Sequence, residues 1–247
     1  MTALIAAALF AASAAADERG RAVIRQVDAK ERSLTARSKM EMSIRPADGG
    51  PARNFSVLSC ERSGVSGNAA EASYVEFLEP RSVRGLRILS KGSDSWVFFP
   101  STGRVRKIAG SSRSGSVQGV GGDFSYDDLG GGAWEDDYEF IVLREGPAEW
   151  ELEGTRRSKD AGYDAVRLAV DKNLMLVTKA SFSSKKEGGY YKELAFSDFK
   201  DFGGRTRAGE MTMRNLKKGS STRVALLEAE FDLKLEDRLF DPSRFDK

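Results

Sequence analysis

The stretch "SKMEMSIRP" sets Met40, Met42 and Ile44 against Lys39, Glu41 and Ser43, and this period of two returns along most of the chain. It recurs in "NFSVLSCER", "ASYVEFLEP", "GLRILSKG" and "DSWVFFPSTGRVRKI", and after a glycine-rich interval in "YEFIVLRE", "YDAVRLAVDK", "MLVTKASFSS" and "STRVALLEAEFDLKL". Alternation of this kind puts one face of a strand inward and the other outward. The segments are separated by turn chemistry: Asp48-Gly49-Gly50, the break at "DKNLM", Gly188-Gly189 and Gly203-Gly204. Only residues 18–29 depart from the rhythm, with Val23, Ile24 and Val27 at helical spacing. With no alternation of strands and helices, the expected fold is mainly β: one large antiparallel sheet of about eleven strands with one or two helices. A sheet of that size must curl or close to bury its apolar face, which favours a barrel or half-barrel. The tail "LEDRLFDPSRFDK" is expected as a surface arm.

Composition removes several kinds of chemistry. The 247 residues include 39 basic and 37 acidic side chains, and the net charge of +2 provides no field that would gather nucleic acid. There is no histidine, so no Ser-His or Cys-His nucleophile can be assembled. The one cysteine, Cys60, lies in a strand and is expected as a buried structural thiol. No motif assigns a nucleophile, a base or a metal, so neither enzymatic activity nor a cofactor is expected. Residues 1–16 combine a short apolar run with small residues ending Ala14-Ala15-Ala16, the pattern of a secretory signal cleaved after Ala16. Residues 17–247 are then expected to form a single exported domain.

The glycine-rich interval "VQGVGGDFSYDDLGGGAWEDD", Val117 to Asp137, holds six glycines, six acids and three aromatics. It is too rich in glycine for a helix and too polar for a buried strand. A phosphate cradle does not fit, because Phe124 stands where the third glycine of G-x-G-x-x-G belongs and acids follow. A calcium-hand register begun at Asp123 puts Asp128 at the invariant glycine and Trp134 at the bidentate acid. What remains is a lid or rim over an apolar mouth, or a loop tucked against its own sheet.

The stretch from Tyr74 to Gly132 resembles the outer-membrane lipoprotein-sorting family, in its LolA-like branch. The matching positions are Phe77 and Pro80, Gly85 and Arg87, Trp96, Phe98 and Pro100, then Arg104, Arg106, Lys107 and Ile108, then Asp123 to Leu129. The resemblance implies a periplasmic protein with an unclosed β-barrel around a hydrophobic cavity and helices against its concave side. It also implies a monomeric carrier for acyl chains of lipoproteins or lipids, released by an inner-membrane complex. The alternative is an accessory or sensor protein that docks to an RND-type exporter or another envelope component. Alternation places Val75 with Phe77, Leu86 with Ile88, and Trp96 with Phe98 on one face of their strands, where they are expected to line the cavity. Phe124, Tyr126, Leu129 and Trp134 are expected at its mouth. Arg104, Arg106, Lys107, Asp123 and Asp127 are expected to form a polar rim.

Overall fold

A computed structural model describes residues 18–64, 71–129 and 132–247, so the expected signal at 1–16 lies outside the described residues. The protein is mainly β, with two helices. Its strands are β1 (Thr35–Arg45), β2 (Arg53–Arg62), β3 (Ala72–Glu79), β4 (Arg87–Lys91), β5 (Asp94–Phe99), β6 (Arg104–Ile108), β7 (Ser116–Val117) and β8 (Gly121–Ser125). They continue with β9 (Tyr138–Glu145), β10 (Glu149–Arg156), β11 (Ala165–Asp171), β12 (Leu176–Ser184), β13 (Gly189–Phe202), β14 (Arg205–Asn215) and β15 (Ser220–Phe231). Thirteen of them follow the antiparallel order β6-β5-β4-β3-β2-β1-β15-β14-β13-β12-β11-β10-β9, and β7 pairs with β8 in a separate two-stranded sheet. The ends of the long order do not meet, so the sheet is not closed into a barrel. Among the described residues, no helix is long and apolar enough to cross a membrane.

The chain divides into two compact units, with one change-over between Glu31 and Arg32, another between Gly132 and Ala133, and a third between Tyr191 and Lys192. The first unit holds helix α1 (18–31), helix α2 (Trp134–Asp137) and β9 to β12. Its core is Leu152, Val166, Leu168, Val170 and Ala180, all with no exposed surface. Helix α1 buries Val23, Ile24 and Val27, the three apolar positions of its helical pattern. A Cβ at Gly20 would stand 2.2 Å from the Phe140 carbonyl oxygen, so only glycine allows the helix backbone to come so near β9. Further along, the buried Asp28 carboxylate accepts the N–H of Trp134 at 3.1 Å and of Glu135 at 3.0 Å.

The second unit holds β1 to β8, most of β13, and β14 and β15. Here the sheet is covered on both faces. Ile44, Phe55, Val57, Phe77, Ile88 and Val97 form a cluster on one face, joined by Val117, Val120 and Tyr126 of the glycine-rich segment. The other face carries Cys60, Tyr74 and Leu89, packed with Phe240 and Phe245, each of which is 1% exposed. The tail is therefore not a surface arm: two of its aromatics complete a core. Cys60 is buried as expected, and that burial pushes its thiol up to about 11. The segment from Val117 to Asp137 also differs from the expectation of irregular chain. It contributes β8, a 3-10 turn at Asp127–Leu129 and α2, because its glycines permit close backbone approach and its apolar residues have a sheet to cover.

Asp28 supplies a test of the first unit. Burial pushes its carboxyl up to about 6, against the lowering effect of the two N–H groups it accepts. A folded value above the ordinary 3.8 means that its contribution to stability is full below 3.8 and is lost as pH rises through about 6. Asp28→Asn removes the titration and carries a constant offset from one impaired N–H bond. The expected result is that wild type loses stability relative to Asp28→Asn between roughly pH 4 and 7. Urea unfolding followed by tryptophan fluorescence would measure it, and a difference independent of pH would count against this account.

Candidate functional site

The second unit contains a cavity of about 250 Å³ on the face where the glycine-rich segment lies. Strand register builds its wall from the sequence upward. Met40 and Met42 of β1 stand opposite Val57 and Phe55 of β2, and Val57 in turn stands opposite Phe77 of β3. On the other side of β1, Met42 pairs with Val224 of β15, which pairs with Met211 of β14. Period two brings these side chains to one face, and Phe124 and Leu129 line the cavity as well. Methionine suits such a wall, because its unbranched, polarizable side chain adapts to irregular apolar shapes.

The β7–β8 hairpin is held to the sheet by polar contacts. Asp123 is buried; its N–H donates to the Thr222 hydroxyl at 3.0 Å, that hydroxyl donates back to the carboxylate at 2.8 Å, and Ser220 also donates to it. A Cβ at Gly122 would stand 2.9 Å from Ile44 and 3.0 Å from the Thr222 hydroxyl, with φ at +86°, so this position requires glycine on both counts. Asp128 accepts the N–H and hydroxyl of Ser125, each at 2.7 Å, and pairs with the Lys192 ammonium at 3.1 Å. The side chains of that pair are only 6% and 7% exposed. Asp127 pairs with Arg113 at 2.8 Å.

A polar end is set into this apolar wall by Ser59 and Glu61 of β2 and Ser73 of β3. Glu61 and Ser73 stand opposite one another in the strand register. Glu61 is accessible from the cavity yet enclosed by its walls. That enclosure raises its carboxyl above the usual range, opposed by a hydrogen bond from Ser59 and by the positive charge of Arg207.

The expected site residues are distributed as follows. Val75, Phe77, Phe124 and Leu129 line the cavity. Leu86, Ile88 and Tyr126 are buried in the cluster on the same face but do not line it; the Tyr126 hydroxyl accepts the N–H of Gln118 at 2.9 Å. Trp96 and Phe98 lie on the opposite face, packed with the cluster of Phe240 and Phe245, because Trp96 alternates with the fully buried Val97. Trp134 belongs to the first unit, where its ring lies 6.4 Å from that of Tyr138. Nor do the expected rim residues form one band. Arg104, Arg106 and Lys107 are exposed on end strand β6, Lys107 pairing with Asp94 at 2.8 Å, while Asp123 is a buried latch. Met40, Met42, Met211 and Val224 are not among the expected site residues, although alternation marks the first two as core. Glu61 and Lys192 carry no local motif and are likewise absent from the expected site.

The comparisons bear on this arrangement of an unclosed sheet and an apolar cavity. A family model described only as that of an uncharacterized protein matches residues 69–247. The chain belongs to the family that this model describes, and its fold is LolA-like. A DUF1329 family protein from Desulfovibrio piger is 25% identical, covers 92% of this chain and 98% of its own, and superposes with a TM-score of 0.84. A domain assigned to outer membrane lipoprotein sorting, from Vibrio parahaemolyticus, is 24% identical with a TM-score of 0.82, covering 94% of this chain and 100% of its own. A LolA superfamily protein from Nitrosomonas europaea is 24% identical with a TM-score of 0.71, over 90% of this chain and 97% of its own. No curated protein matches the sequence. The likenesses to the Vibrio and Nitrosomonas proteins are likenesses of fold.

The buried pair at the cavity is expected to govern the hairpin's attachment in this LolA-like chain. Lys192→Met leaves the Asp128 carboxylate buried without its ammonium partner, and breaking such a pair from one side costs about 3–5 kcal/mol. Asp128→Asn combined with Lys192→Met removes both charges, keeps an acceptor for Ser125, and is expected to recover a large part of that loss. Chemical denaturation of both single variants and of the double measures this, and single losses that simply add in the double would show that the pairing contributes nothing.

Proposed function

We propose that this protein is a periplasmic carrier that shields an acyl chain of a lipoprotein or lipid in the cavity of its second unit. The observation that carries the reading is the wall itself, in which Met40, Met42, Val57, Val75, Met211 and Val224 meet around about 250 Å³. Moving an acyl chain out of water into such a wall contributes about 0.8 kcal/mol for each buried CH₂, before ordering costs. The volume lies just below the usual range for small-molecule sites, roughly 300–1,000 Å³. It therefore suits part of one chain better than several chains together. The LolA-like fold supports the same reading, shared as it is with the lipoprotein-sorting domain from Vibrio parahaemolyticus. Binding and release of a chain require no covalent step, and neither a cofactor nor a metal enters the proposal.

Less supports docking to an exporter through the basic strand and the acidic segment. Lys107 is paired with Asp94, and Asp123, Asp127 and Asp128 are committed to Thr222, Arg113 and Lys192. Export to the periplasm rests on the signal pattern at residues 1–16 and on the LolA-like fold.

Purified protein examined by native mass spectrometry and organic extraction is expected to carry an acyl-chain adduct. Met211→Trp narrows the cavity and is expected to weaken binding of a neutral apolar fluorophore at least about tenfold, with the circular dichroism of the sheet retained; such overpacking costs about 1–3 kcal/mol of stability. A protein that carries no adduct and binds no apolar probe would sink the carrier reading.

A further inference from the structure

Among the described residues that line this cavity, Glu61 is the one carboxylate not held in an ion pair, since Asp128 is matched by Lys192. Its hydrogen-bond partner is the Ser59 hydroxyl at 3.5 Å, the outer limit of such a bond. The neighbouring elements add little to that. In register, β1 places Ala36 opposite Glu61 and β3 places Ser73 there. From β14, the positive charge of Arg207 acts on it, and Asp128, paired with Lys192, lines the same cavity. Enclosure by the walls disfavours the ionised carboxyl more than Ser59 and Arg207 favour it. The serines beside it, Ser59 and Ser73, are each 4% exposed, while Glu61 itself is accessible.

A chain that enters the cavity covers Glu61, and its polar end decides the consequence. Plain hydrocarbon removes water from the carboxyl and returns nothing. An ester brings only acceptor oxygens, and a fatty-acid carboxylate brings a like charge. An amide N–H or a hydroxyl brings a donor, which favours the ionised carboxyl that enclosure disfavours, and hydrogen bonds to a charged acceptor are the stronger kind. Resting on the carrier reading above, we propose that Glu61 determines specificity. The cavity takes an acyl chain with a hydrogen-bond donor at its polar end, an N-acyl amide above all, in preference to the ester or free acid of equal length.

The test uses the full chain with 1-N-phenylnaphthylamine bound as the apolar reporter, displaced at neutral pH by decanamide, methyl decanoate or decanoate. The amide is expected to displace the reporter at a concentration about tenfold below that of the ester, with decanoate weakest. Glu61→Met removes the acceptor and is expected to bring amide and ester within roughly twofold of each other. Glu61→Gln keeps a carbonyl acceptor without the charge; it should retain part of the amide preference and lose most of the discrimination against decanoate. Equal displacement by amide and ester in wild type, or an amide preference unchanged in Glu61→Met, overturns the proposal and leaves the carrier reading standing. Failure of every chain to displace the reporter, or of the reporter to bind, overturns both.

Discussion

The bond between Asp123 and Thr222 fixes the part of the structure from which the rest of the site is built. A large antiparallel sheet presents a continuous apolar face, and that face must be covered by something. In the second unit the cover on one side is the β7–β8 hairpin, whose Val117 and Val120 are buried together with Tyr126 just beyond it. Apolar contact alone would not fix its position along the strands. The reciprocal hydrogen bonds between Asp123 and Thr222 do, because a buried carboxylate must find its donors where they are. Gly122 then permits the backbone to lie where a Cβ would strike Ile44. The hairpin covers part of the face, and the uncovered part, between Met42, Val57 and Met211, is the cavity.

This also explains the composition that made the segment hard to read. Six glycines among acids and aromatics suggest mobility when only the chain is considered. In the fold, Gly121 and Gly122 have φ values of +74° and +86°, and the acids are latches. Glycine density signals close approach as readily as freedom, and one sequence cannot separate the two because the approached partners, Ile44 and Thr222, are distant in it. Of the lid and the tucked loop that the segment allowed, its burial fits the second.

The alternation of Met40, Met42 and Ile44 was legible because polar neighbours contrast with them, and the strand appears at Thr35–Arg45. Contrast fails in "DSWVFF", where both sets of alternating residues are large and apolar. Period two puts Trp96 and Phe98 together but does not say which face is which. Both faces are covered there, one by the hairpin's cluster and the other by Phe240 and Phe245. Those tail aromatics were equally hidden, since they stand five residues apart among charges, at neither strand nor helix spacing. Arg62 over the Phe240 ring at 4.5 Å and Arg87 over Phe98 at 5.6 Å cover that second core with their own stems, so its aromatics sit next to charge. Glu61 was illegible for a different reason. It lies near the end of "NFSVLSCER", where a strand commonly turns polar, and although alternation puts it on the face of Val57, nothing local shows that this face encloses a cavity.

The cavity therefore handles charge in two ways, and the difference has a physical meaning. Asp128 and Lys192 are deeply buried and matched, so they contribute no net field and little that a ligand could compete for. Their effect is structural: they join the end of the hairpin segment to β13. Glu61 is accessible and weakly held by Ser59, so its solvation depends on what occupies the space beside it. A wall made only of valine and methionine would bind chains by length and shape, and one methylene changes affinity only modestly. A carboxyl placed in such a wall turns the presence or absence of a single donor into a difference in binding, because the penalty for an unmatched polar group is larger than the gain from one more apolar contact. Discrimination by the polar end can thus coexist with indifference to the tail, a useful combination for a carrier whose cargoes share a linkage and differ in chain.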